Sequence, residues 1–177
     1  VVDPLSATTT DVQGSGVPIL LCNGGPGCCD YLAPIAAMID NIAKVIRFEQ
    51  RGCGRSEGMG PYDVPTCLAD MESIREHYGI AQWVVGGHSW GPDLAIAYAL
   101  TFTERVAGIV GFSGGVLHKD RAWSDQYNRL KETGGEADPD FEFSPNMEVN
   151  REVSASWAEF TPNPDFLRRV ANLDVPA

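Results

Sequence analysis

The chain has 177 residues, 44% hydrophobic and 21% charged, a balance that suits one globular domain with a sizeable core. Its formal charge of −11 works against nucleic acid or an anionic membrane as a partner, because both repel acidic surfaces. No apolar run approaches the roughly 18–20 residues of a membrane span, and Val1-Val2-Asp3-Pro4 lacks the basic start and apolar stretch of a signal peptide.

The five cysteines (Cys22, Cys28, Cys29, Cys53, Cys67) form an odd set with no CxxC pair. That argues against a disulfide framework or a zinc site and for a reducing, cytoplasmic location. Cys28-Cys29 reads as two small residues opening a helix rather than as a redox pair.

In chain order, the polar, turn-rich stretch from Val1 to Val17 predicts an edge strand or hairpin ending at Gly14-Ser15-Gly16. Ile19-Leu20-Leu21-Cys22 is a short apolar run that stops at Asn23-Gly24-Gly25-Pro26-Gly27, which predicts a buried strand entering a tight loop. A helix is expected around Tyr31 to Asn41, then a strand at Lys44-Val45-Ile46-Arg47-Phe48. Leu68, Met71 and Ile74 recur at helical spacing up to Tyr78-Gly79, where the glycine caps the end. Trp83-Val84-Val85 predicts a strand, Pro92 to Thr101 a helix, and Val106 to Phe112 a further strand.

This alternation implies a mainly parallel sheet with helices on both faces and right-handed crossovers. A ligand then sits beyond the carboxyl ends of the strands, where the loops converge. From Gly114 onward the chain turns polar and helical in tendency, broken by Gly134-Gly135 and several prolines. Its aromatics (Trp123, Tyr127, Phe141, Phe143, Trp157, Phe160, Phe166) need a surface to pack on, so the segment reads as a lid. The expected organisation is a core over residues 1–113, a helical cap over 114–170 and a return to the core over 171–177.

Gly87-His88-Ser89-Trp90-Gly91 is a G-x-S-x-G element directly after a predicted strand and directly before a predicted helix. In that context Ser89 is expected on a strained strand-to-helix turn, as a nucleophile, with glycines two residues either side allowing close backbone approach. Acyl transfer needs two N–H donors for the tetrahedral oxyanion; Trp90 is expected to supply one and Gly25 the other. The Gly-rich loop lacks the lysine of a P-loop and the spacing of a dinucleotide site, which disfavours phosphate binding. Glu49-Gln50-Arg51-Gly52-Cys53-Gly54-Arg55-Ser56 offers a sharp turn, and Arg51 or Arg55 could tie adjacent loops by forked hydrogen bonds.

GGPG, EQRGCGRS and GGHSWG, in this order and at these intervals, resemble the proline iminopeptidase family of the α/β hydrolases. The resemblance covers Leu20 to about Gly115 well and the cap more loosely. It implies a doubly wound sheet with an inserted helical cap, and release of an N-terminal residue, typically proline, from small peptides by a Ser-His-Asp triad. It implies no metal and no organic cofactor. The substrate class is a small peptide, or a small ester or amide if the enzyme is another serine α/β hydrolase; a non-catalytic hydrolase-like binding protein is the reading if the protein ends at Ala177.

Asn23 stands where the family has His, and Glu49 where it has Asp; both positions read as supportive. The triad order is nucleophile, acid, base, yet after Ser89 the sequence holds His118 alone, at the start of the lid. His88 and His77 read as structural or surface residues. Asn172 to Ala177 resembles the approach to the acid-bearing strand, so acid, base and final strands are expected beyond Ala177, and the fragment by itself is expected to be nearly inactive. A free α-ammonium is most simply met by cap carboxylates, for which Glu148, Glu152 and Glu159 are the candidates, Glu159 first because Trp157 and Phe160 flank it.

Overall fold

The computed structural model describes residues 7–114, 125–126, 129–130, 133, 141–160 and 164–176. His118, Trp123 and Tyr127, and most of the first half of the expected cap, lie outside the described residues.

Among the described residues, five strands form one sheet: β1 (Thr9–Gly14), β2 (Val17–Cys22), β3 (Ala43–Glu49), β4 (Trp83–His88) and β5 (Val106–Phe112), in spatial order β1-β3-β2-β4-β5. Three pairings are parallel, and β1 runs antiparallel on the edge, in register Thr9↔Glu49 through Gly14↔Lys44. The helices are α1 (Ala33–Ile39), α2 (Val64–His77), α3 (Gly91–Thr101), α4 (Met147–Phe160) and α5 (Pro164–Ala171), with a 3-10 turn at Thr103–Arg105.

β1 and β2 are consecutive but do not pair, because β3 lies between them. Their link therefore passes under the start of β3. Gly14, at φ 75°, has the Asp40 and Ala43 carbonyls where a side chain would go, so only glycine lets the two backbones cross.

The apolar alternation along the strands divides the core into two layers, as period-2 side chains must. Leu20 and Cys22 of β2, Ile46 and Phe48 of β3 and Val85 of β4 face α2 and α3, where Leu68, Met71, Ile74, Leu94 and Tyr98 complete the larger cluster. Leu21 and Val45 face the other way, against Leu32 and Ala36 at α1.

α1 is shorter than the expected Tyr31 to Asn41. Asp30 accepts the Leu32 N–H at 2.9 Å and pairs with Arg47, which turns the chain into the helix two residues late. α2 starts with Asp63 accepting the Thr66 N–H at 2.8 Å and is followed by Gly79 at φ 62°, so both its ends are capped.

After α5 the chain returns to the sheet. Leu173 and Val175 pack on the larger core cluster, and the Ile109 N–H of β5 donates to the Pro176 carbonyl at 2.8 Å. Among the described residues no helix is long and apolar enough to cross a membrane.

Candidate active site

The chain steps from β2 to β3 on one side and later returns to place β4 on the other side of β2. This reversal makes the carboxyl ends of β2 and β4 neighbours, and a crevice opens where their loops diverge. Cys22 is in register with Gly87, so the Asn23–Gly27 loop and the turn carrying Ser89 leave the sheet side by side.

Ser89 sits in that turn at φ 57°, one of two non-glycine residues in the left-handed region among those described. Such a conformation costs about 1–2 kcal/mol for a residue with a Cβ. It is held by its surroundings. The Ser89 N–H donates to the Phe112 carbonyl at 3.3 Å, and Gly87 and Gly91 both lie against the Cys22 carbonyl, where any side chain would overlap it. The glycines of G-x-S-x-G are thus required by one carbonyl of the neighbouring strand. α3 begins at Gly91 with Pro92 in its first turn, where a missing N–H leaves no hydrogen bond unmade. The positive end of that helix points at the Ser89 turn.

The facing loop is organised by Asn23, whose buried amide donates to the carbonyls of Cys28 at 2.9 Å and Gly24 and Cys29 at 3.3 Å. Gly25 turns at φ 53°, and its carbonyl accepts the Cys28 N–H at 3.1 Å. Neither the Gly25 N–H nor the Trp90 N–H donates a hydrogen bond to another described residue. Glu49, 2% exposed, accepts the Arg55 N–H at 2.5 Å, and its carboxylate fills the space a Gly54 side chain would need. Of the two arginines, it is Arg51 that makes the fork, to both oxygens of Asp70 on α2. Arg55 reaches Glu49 and Asp11 instead.

His88 is the last residue of β4. Its Nδ1 lies 2.7 Å from the Tyr31 hydroxyl, and its ring stacks on Phe112 with centroids 5.7 Å apart. His77 is at the end of α2, edge-on to Tyr78. Asp93, in the first turn of α3, is buried, and burial pushes its pKa up to about 6.

α4 packs its first turn onto both loops. The Asn146 N–H donates to the Gly27 carbonyl at 2.8 Å and the Asn146 amide to the Gly52 carbonyl at 2.8 Å. One turn on, the Asn150 amide donates to the Pro26 carbonyl at 2.7 Å. Val149 and Val153 are buried on the same side. Glu148, Glu152 and Glu159 share one exposed stripe, about a third of a turn round the helix from that packing face. The side chains at the start of α4 that hydrogen-bond the two loops are therefore those of Asn146 and Asn150. Asn146 was recoverable from sequence as a helix-start residue after Ser144-Pro145, whereas nothing in the sequence marks Asn150 or Tyr31.

All five cysteines are free thiols, and burial raises the pKa of Cys22, Cys28, Cys53 and Cys67, the last two to about 12. Those four thiols stay protonated and weakly nucleophilic at neutral pH. Among the described residues no group of three or more His, Cys, Asp or Glu side chains is placed to hold a metal ion.

Known proteins resemble this chain in both sequence and fold. It is similar to the proline iminopeptidase of Neisseria gonorrhoeae, 38% identical over 104 residues, which are 54% of this chain and 32% of that protein. The Saccharolobus solfataricus proline iminopeptidase is 36% identical over 108 residues, 58% of this chain and 35% of that one. The match to the Heyndrickxia coagulans proline iminopeptidase, 32% identical over 126 residues, covers 68% of this chain and 43% of the relative. The chain thus spans about a third of the length of the first two relatives.

Two solved structures share the fold alone. One, from a study of Nitrososphaera gargenis carboxylesterases, has a TM-score of 0.62 at 20% identity, covering 95% of this chain and 73% of that one. The other, from work on ring-cleavage of the Pseudomonas quinolone signal, has a TM-score of 0.70 at 16% identity, covering 96% and 74%. Residues 17–172 match the family described as alpha/beta hydrolase fold, and with the sheet order and the Ser89 turn found above the chain belongs to the α/β hydrolases.

Proposed function

We propose that this chain is the nucleophile-bearing part of a serine hydrolase of proline-iminopeptidase type, with Ser89 attacking the scissile carbonyl. The observation that carries the reading is the left-handed Ser89, held at the positive end of α3 directly beside the glycine loop. Attack there converts a planar carbonyl into a tetrahedral oxyanion. The Gly25 and Trp90 amides flank that position, and each such donor is worth about 3 kcal/mol in the transition state. Collapse of the oxyanion breaks the scissile C–N bond, the shortened peptide leaves as an amine that takes up the proton Ser89 gave up, and water then hydrolyses the acyl-enzyme, freeing the N-terminal residue and the Ser89 hydroxyl.

The acid and base that activate Ser89 are assigned to the part of the protein that this chain does not span, in the order usual for the fold. Residues 114–170 form the cap in this reading. The exposed acidic stripe Glu148, Glu152 and Glu159 is assigned to the substrate's α-ammonium, and their neutral glutamine variants should raise KM for a peptide but not for an ester. Proline as the released residue rests on similarity to the named iminopeptidases.

In the full-length protein, Ser89→Ala should abolish turnover of both a proline arylamide and a short-chain p-nitrophenyl ester. Full activity in that variant overturns the nucleophile. Turnover of the ester alone by the unaltered protein keeps the serine hydrolase and removes the peptidase.

A further inference from the structure

We infer that Tyr31 is a positioning residue for acyl transfer, its hydroxyl clamping the glycine loop to the turn that carries Ser89. The inference rests on the reading of Ser89 as nucleophile with Gly25 and Trp90 as oxyanion donors.

The Tyr31 hydroxyl accepts the Gly24 N–H at 2.7 Å and lies 2.7 Å from His88 Nδ1. These partners belong to opposite sides of the crevice, one in the loop after β2 and the other the last residue of β4. One hydroxyl therefore spans the point at which the sheet order reverses. It does so next to the reacting atom: a Cβ on Gly24 would overlap the Tyr31 hydroxyl and stand 2.7 Å from the Ser89 Cβ.

The hydroxyl cannot swing. The Tyr31 ring meets His88 edge-on at 5.7 Å and Phe141 at 5.4 Å, and His88 is itself stacked on Phe112. Burial raises the Tyr31 pKa, so the group keeps its proton and can accept one hydrogen bond while donating another. The clamp also decides which amide is free. Gly24 N–H is occupied, and the next amide, Gly25 N–H, donates to no other described residue. Oxyanion donors act through preorganisation, so a loop free to shift by a fraction of an ångström loses transition-state binding before substrate binding.

The test uses the full-length protein and Tyr31→Phe, which removes the hydroxyl and keeps the packed ring. Expected is a kcat lower by about tenfold or more with KM within about twofold, and a matching loss of affinity for a boronic acid that mimics the tetrahedral state. The thermal midpoint should stay near that of the unaltered protein. His88→Leu should give a similar loss, and the double variant should be no worse than the poorer single one, since both cut the same link.

Unchanged kcat and boronate affinity in Tyr31→Phe overturn the inference. So do additive losses in the double variant, or a kcat loss that tracks a lowered thermal midpoint. Failure of the underlying reading shows elsewhere: a phosphonate adduct mapped by mass spectrometry to a residue other than Ser89 removes the nucleophile itself.

Discussion

Gly24 and Ser89 stand so close that a methyl group on Gly24 would lie 2.7 Å from the Ser89 Cβ, well inside van der Waals contact. Two loops that leave different strands are thus fitted to each other with no spare volume. Gly24→Ala should push the glycine loop off the Ser89 turn and displace the Tyr31 hydroxyl, costing about 1–3 kcal/mol of stability. Activity should fall further than stability does. Urea denaturation and kcat/KM on an ester measure the two; an alanine variant with unaltered kcat/KM contradicts the fit.

Ser89 holds a conformation that glycine adopts without penalty. Ser89→Gly should therefore stabilise the fold by about 1 kcal/mol while removing activity, and Ser89→Ala should remove activity without that gain. Thermal midpoints of the two variants, compared at one pH, separate strain from side-chain loss. The opposition of stability and function at one residue is expected where a fold stores strain at its site.

Asp93 predicts a pH dependence with a definite sign. Its folded pKa, about 6, is above the ordinary 3.8, so between these values the folded chain holds a proton that the unfolded chain has released. This contribution to stability therefore falls as pH rises from about 4 to 6 and is level above that. Asp93→Asn should flatten this slope and leave the variant more stable at pH 7.5, by up to roughly 2 kcal/mol. A wild-type slope of the opposite sign that disappears in the variant would sink the assignment.

The Arg51–Asp70 fork ties the loop after β3 to α2, and Arg51 also donates to the Met59 carbonyl at 3.0 Å. Lysine offers a point charge in place of the fork. Arg51→Lys should cost about 1–3 kcal/mol in urea denaturation. Arg55→Lys should cost less, because that guanidinium is 44% exposed and its pair with Asp11 is solvated.

Asn150 gives a prediction about dynamics. Its hydrogen bond to the Pro26 carbonyl, with the Asn146 contacts one turn earlier, fastens the start of α4 to the glycine loop. Asn150→Ala should speed amide exchange in both the first turn of α4 and the Asn23–Gly27 loop, with little change in β3 or α2. Faster exchange in α4 alone would mean that helix and loop are not coupled.

The sequence by itself determined the elements whose signals are local. β5 coincides with the apolar run Val106–Phe112, α2 ends at the Gly79 punctuation, and the strand–Ser89–helix order follows from G-x-S-x-G in its context. Each depends on neighbours a few residues apart, through period-2 or period-3.6 burial and the φ preferences of glycine and proline. The tertiary structure alone decided that β1 pairs with β3 and not β2, that Cys22's carbonyl is what both flanking glycines of Ser89 make room for, and that Tyr31 meets Gly24 and His88. It also put the Asn146 N–H and the Asn150 amide, rather than the acidic stripe of α4, against the glycine loop. These contacts join residues from 7 to 124 positions apart. They are set by which strands neighbour each other and by the hydrogen bonds that polar groups buried between them make, and no local pattern in the chain records either.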